Sequence, residues 1–141
     1  QIVITGEEGA AQAAVEKLTA AGAKRCVPLK VSGPFHSPLL TGAGEKLAKE
    51  LENVEINDIR IPYIANVTAD YVKDKSEVKN LLEKQVSSSV RWQQSIERMI
   101  ADGVDTFVEI GPGKTLSGFM RKINKGMKVM NVEKVEDLDK L

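Results

Sequence analysis

The chain holds one histidine, His36, in the segment Ser32-Gly33-Pro34-Phe35-His36-Ser37-Pro38, whose glycine and two prolines suit no regular element. A neutral imidazole can take a proton from a serine or thiol near neutral pH, and α/β folds place such groups on loops held by strand ends. A base needs a nucleophile. Cys26, the single cysteine, falls in the middle of an expected strand and reads as a small packed side chain. Ser37 adjoins the histidine, but neighbouring positions rarely present both groups to one reacting atom. No Gly-x-Ser-x-Gly nucleophile elbow occurs, and no carboxylate stands in an obvious triad position. The chemistry is half present. One histidine and one cysteine also exclude a multi-histidine or multi-thiolate metal site and an internal disulfide.

Two further signals are weaker. Gly113-Lys114-Thr115 has the tail of a phosphate-binding loop, but the glycine due five residues earlier is Val108. The plainer reading is a strand-to-helix turn that needs glycine geometry, with a weak anion contact at the helix amides left open. From Lys114 to Lys128 there are five basic residues and no acidic one, a solvated face or a docking face for an acidic protein.

Elements must position these residues. The 141 residues suit one domain, and 42% hydrophobic with 28% charged residues is an ordinary globular balance. Twenty basic and twenty acidic residues cancel, which argues against general nucleic-acid or membrane-surface binding. No apolar run approaches the roughly 20 residues of a bilayer span. The chain opens Gln1-Ile2-Val3-Ile4-Thr5, without methionine or a signal-peptide core, and reads as a piece of something longer. Strands are expected at 1–5, 25–31, 60–65, 106–110 and 128–132. Helices are expected at 9–21, 39–51, 76–86 and 90–102, with another after Gly111-Pro112-Gly113. Gly42 and Gly44 weaken the second helix. The alternation predicts α/β with a largely parallel sheet, running through 61–65 and 106–110.

Several segments together resemble bacterial malonyl-CoA:acyl carrier protein transacylases. Val31-Ser32-Gly33-Pro34-Phe35-His36-Ser37-Pro38 is similar to their histidine motif, and Ile61-Pro62-Tyr63-Ile64-Ala65-Asn66-Val67-Thr68-Ala69 to their "IPVVANVTA" strand. Gln85, Val90-Arg91-Trp92 and Phe107-Val108-Glu109-Ile110-Gly111-Pro112-Gly113-Lys114 continue in the same order. The resemblance implies ping-pong malonyl transfer from coenzyme A to the phosphopantetheine thiol of acyl carrier protein, in fatty-acid biosynthesis. His36 matches the general base and acid, and Gln85 the position whose backbone carbonyl orients it. Phe35 and Asn66 match substrate-binding positions. Lys114, Arg121, Lys122 and Lys125 become candidates for carrier-protein docking. The implied partners are acyl carrier protein, malonyl-CoA and the missing N-terminal half. No metal or resident cofactor, nucleic acid or membrane is implied, coenzyme A serving as substrate and product carrier in the cytoplasm.

The family fold is an α/β-hydrolase-like body with an inserted ferredoxin-like subdomain. On that map residues 1–31 are the second β-α-β half of the insert, and residues 32–141 the C-terminal part of the large body. Strands 61–65 and 106–110 in separate sheets, or antiparallel to each other, would overturn the hydrolase-like assignment. The family's serine lies in a half not found here, so the isolated chain is expected to be inactive and to expose unusual apolar surface. The alternatives are a non-catalytic truncated or engineered fragment, and a polyketide-synthase acyltransferase domain with another acyl substrate.

Overall fold

The five helices form where apolar side chains recur every three to four residues, as a computed structural model describing residues 2–141 shows. They are α1 (Glu8–Ala20), α2 (Thr41–Glu52), α3 (Val78–Ser87), α4 (Trp92–Ala101) and α5 (Thr115–Ile123). Four short strands accompany them: β1 (Ile64–Ala65), β2 (Asp70–Tyr71), β3 (Thr106–Ile110) and β4 (Lys128–Val132). The chain divides into two units, one running to Val67 and resuming over Tyr71–Val90, the other formed by Thr68–Asp70 and Arg91–Leu141.

In the first unit, α2 packs on α3. Gly44 allows this approach, since a Cβ at that position would stand 3.0 Å from the Glu83 carbonyl oxygen and 3.7 Å from Val86 Cβ. Gly42 is different: nothing lies within 4 Å of where its Cβ would be. Only one of the two glycines expected to weaken this helix has a packing reason. Two 3₁₀ turns, Pro38–Leu40 and Lys75–Glu77, lead into α2 and α3. The second is closed by a capping box, in which Ser76 N donates to Asp74 and Asp74 N donates to Glu77.

Three expected strands are corrected. Residues 2–5 and 25–31 form no strand (Gln1 lies outside the described residues), and 60–65 shortens to Ile64–Ala65. A strand exists only where its amides and carbonyls find a ladder partner. Among the described residues none pairs with 2–5 or 25–31, so α1 stands without flanking strands and with no buried residue. The single parallel sheet is corrected too. β1 pairs with β2, and β3 with β4, in separate two-stranded sheets.

The second unit holds a β-α-β unit. β3 and β4 are parallel, with Thr106 opposite Lys128 and Ile110 opposite Val132, and α5 makes the connection. Its buried apolar side chains are Ile96, Met120 and Val132. β3 is covered on one face only: Phe107 and Glu109 are half-buried, while Val108 and Ile110 face outward, Ile110 at 81% exposure.

The turn at Gly111-Pro112-Gly113 is the glycine-dependent bend expected, with positive φ at both glycines. The anion contact left open at the following helix is corrected. Lys114 supplies no side-chain cap, and Glu109 fills that role from the strand. Its carboxylate accepts from Leu116 N, Ser117 N and, at 2.6 Å, Ser117 Oγ. Gly113 N donates to Glu133, and Asn131 Nδ2 donates to the Glu109 and Gly113 carbonyls. The first-turn amides already have an anion from the protein itself. These bonds, led by the Ser117 hydroxyl, hold the Glu109 carboxyl below its ordinary value.

Candidate active site

An α-helix ends with carbonyls that have no intrahelical partner. Gln85 lies in the last turn of α3, so its carbonyl oxygen is one of these orphans. The imidazole of His36 reaches it: Nδ1 stands 2.9 Å from Gln85 O. A carbonyl oxygen only accepts, so Nδ1 carries the proton of the neutral ring and donates. The other nitrogen, Nε2, is left with its lone pair. A peptide carbonyl can fix an imidazole tautomer as a carboxylate can, because holding a tautomer needs an acceptor rather than a charge.

The side chain of Gln85 plays a separate part. Its Nε2 donates to Ser88 O at 3.3 Å, tying down the residue just past the helix. That nitrogen also lies 3.4 Å from His36 Nδ1. Both nitrogens carry protons when Nδ1 donates to the carbonyl, so this is an approach of two donors rather than a second bond. Gln85 Oε1 is buried and has no partner among the described residues.

The loop that carries the histidine is bent. His36 has φ +59°, a left-handed conformation rare for residues with a Cβ and concentrated at functional sites. Phe35 N donates to Gly33 O at 2.9 Å, and Ser37 Oγ donates to Pro34 O at 2.7 Å. Ser37 is buried at 4% exposure, whereas His36 and Phe35 are exposed. The buried, engaged hydroxyl of Ser37 makes it no candidate nucleophile. Cys26 is half-buried and accepts a weak bond from Thr19 Oγ1 at 3.9 Å. Asn66 is half-buried in the segment that follows β1.

In the second unit, Arg91 Nη1 donates to Thr68 O at 2.9 Å, and Asp70 N donates to Thr68 Oγ1. Arg91 therefore holds Thr68, a bracing role that no local sequence signal announces. Lys114, Arg121, Lys122 and Lys125 are all exposed. Lys114 and Arg121 line an open cleft with Lys134 and Lys140, while Lys122 and Lys125 lie outside it. Asp137, also in the cleft, is held at about 2, first by Lys140 and then by the Lys134 and Glu133 amides. Among the described residues no group of three or more His, Cys, Asp or Glu side chains could hold a metal ion.

Comparison with known proteins bears on this geometry. The model of the acyl transferase domain family matches residues 1–138. The chain belongs to the acyl transferase domain family. Within it, the chain is 45% identical over 139 residues to the malonyl CoA-acyl carrier protein transacylase of Bacillus subtilis, covering 99% of this chain and 44% of that relative. The crystal structure of MCAT from Streptococcus pneumoniae superposes with a TM-score of 0.90 at 44% identity, covering 96% of this chain and 46% of that one. A malonyl-transacylase in complex with its type II PKS acyl-carrier protein superposes at 0.91 with 34% identity, covering 95% and 43%. This acyl transferase chain thus has the α/β content of those neighbours and spans less than half their length. No helix among its described residues is long and apolar enough to cross a membrane.

Proposed function

We propose that this chain supplies the proton-transfer base of a malonyl-CoA:acyl carrier protein transacylase in fatty-acid biosynthesis, and that the serine nucleophile comes from a part of the enzyme outside it. The observation that carries this reading is the 2.9 Å bond from His36 Nδ1 to the Gln85 carbonyl. That bond leaves Nε2 free to take the serine proton as the hydroxyl attacks the thioester of malonyl-CoA. The same nitrogen returns the proton to the departing coenzyme A thiol, leaving malonyl on the serine. In the second half-reaction Nε2 takes the proton of the carrier protein's phosphopantetheine thiol, which attacks the malonyl-serine ester, and protonates the released serine oxygen. Malonyl leaves on the carrier protein, and atoms and protons balance without a resident cofactor or metal.

Phe35, exposed beside the base, and Asn66 are the residues we assign to the acyl substrate. Lys114, Arg121, Lys122 and Lys125 form the face we assign to the acidic carrier protein, whose field would speed encounter and make it salt-dependent. The hydrolase-like assignment fails its own criterion in this chain, because β1 and β3 lie in separate two-stranded sheets. Residues 1–31 we read as half of an inserted subdomain. In support, the unpaired stretches around α1 expose Ile2, Val3, Ile4, Val27, Leu29 and Val31.

The deciding experiment is mass spectrometry after incubation with malonyl-CoA. The complete enzyme is expected to gain one malonyl group, and His36→Ala to slow its formation by at least ~10²-fold with the fold intact. The 141-residue chain alone should gain none. A stable adduct on the chain alone would place the nucleophile within it and overturn the reading.

A further inference from the structure

The left-handed backbone of His36 needs something to hold it, because an L-residue at φ +59° is disfavoured by contact of its Cβ with the neighbouring carbonyl. Two devices close around this residue. Ser37 Oγ donates to Pro34 O at 2.7 Å, so a hydroxyl bonds back across His36 to the carbonyl three residues before it. Ser37 itself is extended, φ −126° and ψ 161°, the conformation that the following Pro38 favours. Its carbonyl accepts from Leu40 N at 3.0 Å, which anchors the far side of the turn to the 3₁₀ segment entering α2. The hydroxyl is buried, so water is a poor substitute for the bond.

We propose that Ser37 is a positioning residue for the base: its hydroxyl, bonded to the Pro34 carbonyl, locks His36 in the left-handed conformation from which Nδ1 reaches the Gln85 carbonyl. The proposal deepens the reading of His36 as the base and rests on it. Removing the hydroxyl releases the turn, and the backbone at residue 36 relaxes toward ordinary negative φ. The imidazole then leaves the α3 carbonyl, and with that bond goes the preference for the proton on Nδ1. A base with its proton on the wrong nitrogen presents no lone pair where it is needed.

The test uses the fact that His36 is the only histidine, so the imidazole nitrogens of the untagged, ¹⁵N-labelled chain report on it alone. The intact chain should show a single tautomer, protonated on Nδ1. In Ser37→Ala the Nε2-protonated form should rise to at least about a third of the neutral population, following loss of the bond that fixes the tautomer. Thr41→Ala is the control. It deletes a hydroxyl bond of the same kind and length, Thr41 Oγ1 to Pro38 O at 2.7 Å, which does not span His36. That variant should keep the intact tautomer.

A Ser37→Ala chain that stays folded with Nδ1 protonated would overturn the proposal, as would equal shifts in the two variants. Should Ser37→Ala unfold, Ser37→Thr gives the reading: it keeps the hydroxyl, and a lost Nδ1 tautomer in the folded Thr variant would refute the lock. None of these measurements needs substrate. If the complete His36→Ala enzyme were fully active, the base role would fall while the tautomer result stood.

Discussion

At the scale of single residues, the site depends on which atom of Gln85 is used. The ring is held by a backbone carbonyl, and every substitution at that position retains one. Gln85→Ala in the complete enzyme is therefore expected to lower kcat by less than about tenfold, against at least ~10² for His36→Ala. An equal loss would show that the side chain holds the ring. Glu109 gives a pH-dependent prediction. Its folded carboxyl lies below the ordinary value of 4.5, chiefly through the Ser117 hydroxyl, so it stabilises the β3–α5 junction above that value. The contribution is lost as pH falls through the depressed folded value. The thermal midpoint should therefore drop as pH falls below the ordinary value of 4.5, and Glu109→Gln should start lower and lose that part of the slope. Asp137, held at about 2 against an ordinary 3.8, loses its own contribution over an overlapping range that reaches lower, so the Glu109 part is read as the difference between the two variants' pH profiles. An unchanged slope in Glu109→Gln would assign the acid sensitivity elsewhere. The loop that carries His36 was legible because its glycine and two prolines suit no regular element. Ser37 was legible only as a neighbour, since its role depends on a positive φ that no sequence pattern prints. Glu109 escaped notice because its partners lie seven and eight residues on, beyond the reach of local capping rules.

At the scale of elements, the placing of Gln85 depends on how closely α2 and α3 approach. Gly44→Ala puts a methyl 3.0 Å from the Glu83 carbonyl, two residues before Gln85, and neither backbone can yield cheaply. The cost should be about 1–3 kcal/mol, typical of overpacking. Gly42→Ala meets no neighbour and should stabilise the helix by about 0.5–1 kcal/mol, the ordinary gain over glycine. Urea denaturation of both variants checks the pair, and matching signs would refute the packing argument. The helices were legible because a 3.6-residue apolar repeat is a property of the segment itself. Strands were not, because pairing is a property of two segments. Residues 106–110 and 128–132 formed strands since each supplies the other's ladder. Residues 25–31 had the same apolar composition without a partner among the described residues, and Pro28 removes a donor.

At the scale of the whole molecule, burial is sparse. Among the described residues Val72, Ile96, Met120 and Val132 are the buried large apolar side chains, while Ile61 at 80%, Ile110 at 81% and Val135 at 78% stand in water. Apolar surface of this kind recruits partners or aggregates. The isolated chain should bind a hydrophobic dye strongly or self-associate, as read by dye fluorescence and sedimentation. Weak dye binding by a stable monomer would count against the half-domain reading. The use of a helix-end carbonyl to hold His36 also bears on how such a site drifts over generations. Its coordinates are written in the position of a peptide unit, not in a codon. Point substitutions at residue 85 other than proline, which breaks the helix, leave the acceptor in place. A single-residue insertion within α3 before Gln85 is another matter. It turns the helix end by about 100°, and Gln85 O no longer faces the His36 ring. Such a site is forgiving of spelling and strict about length.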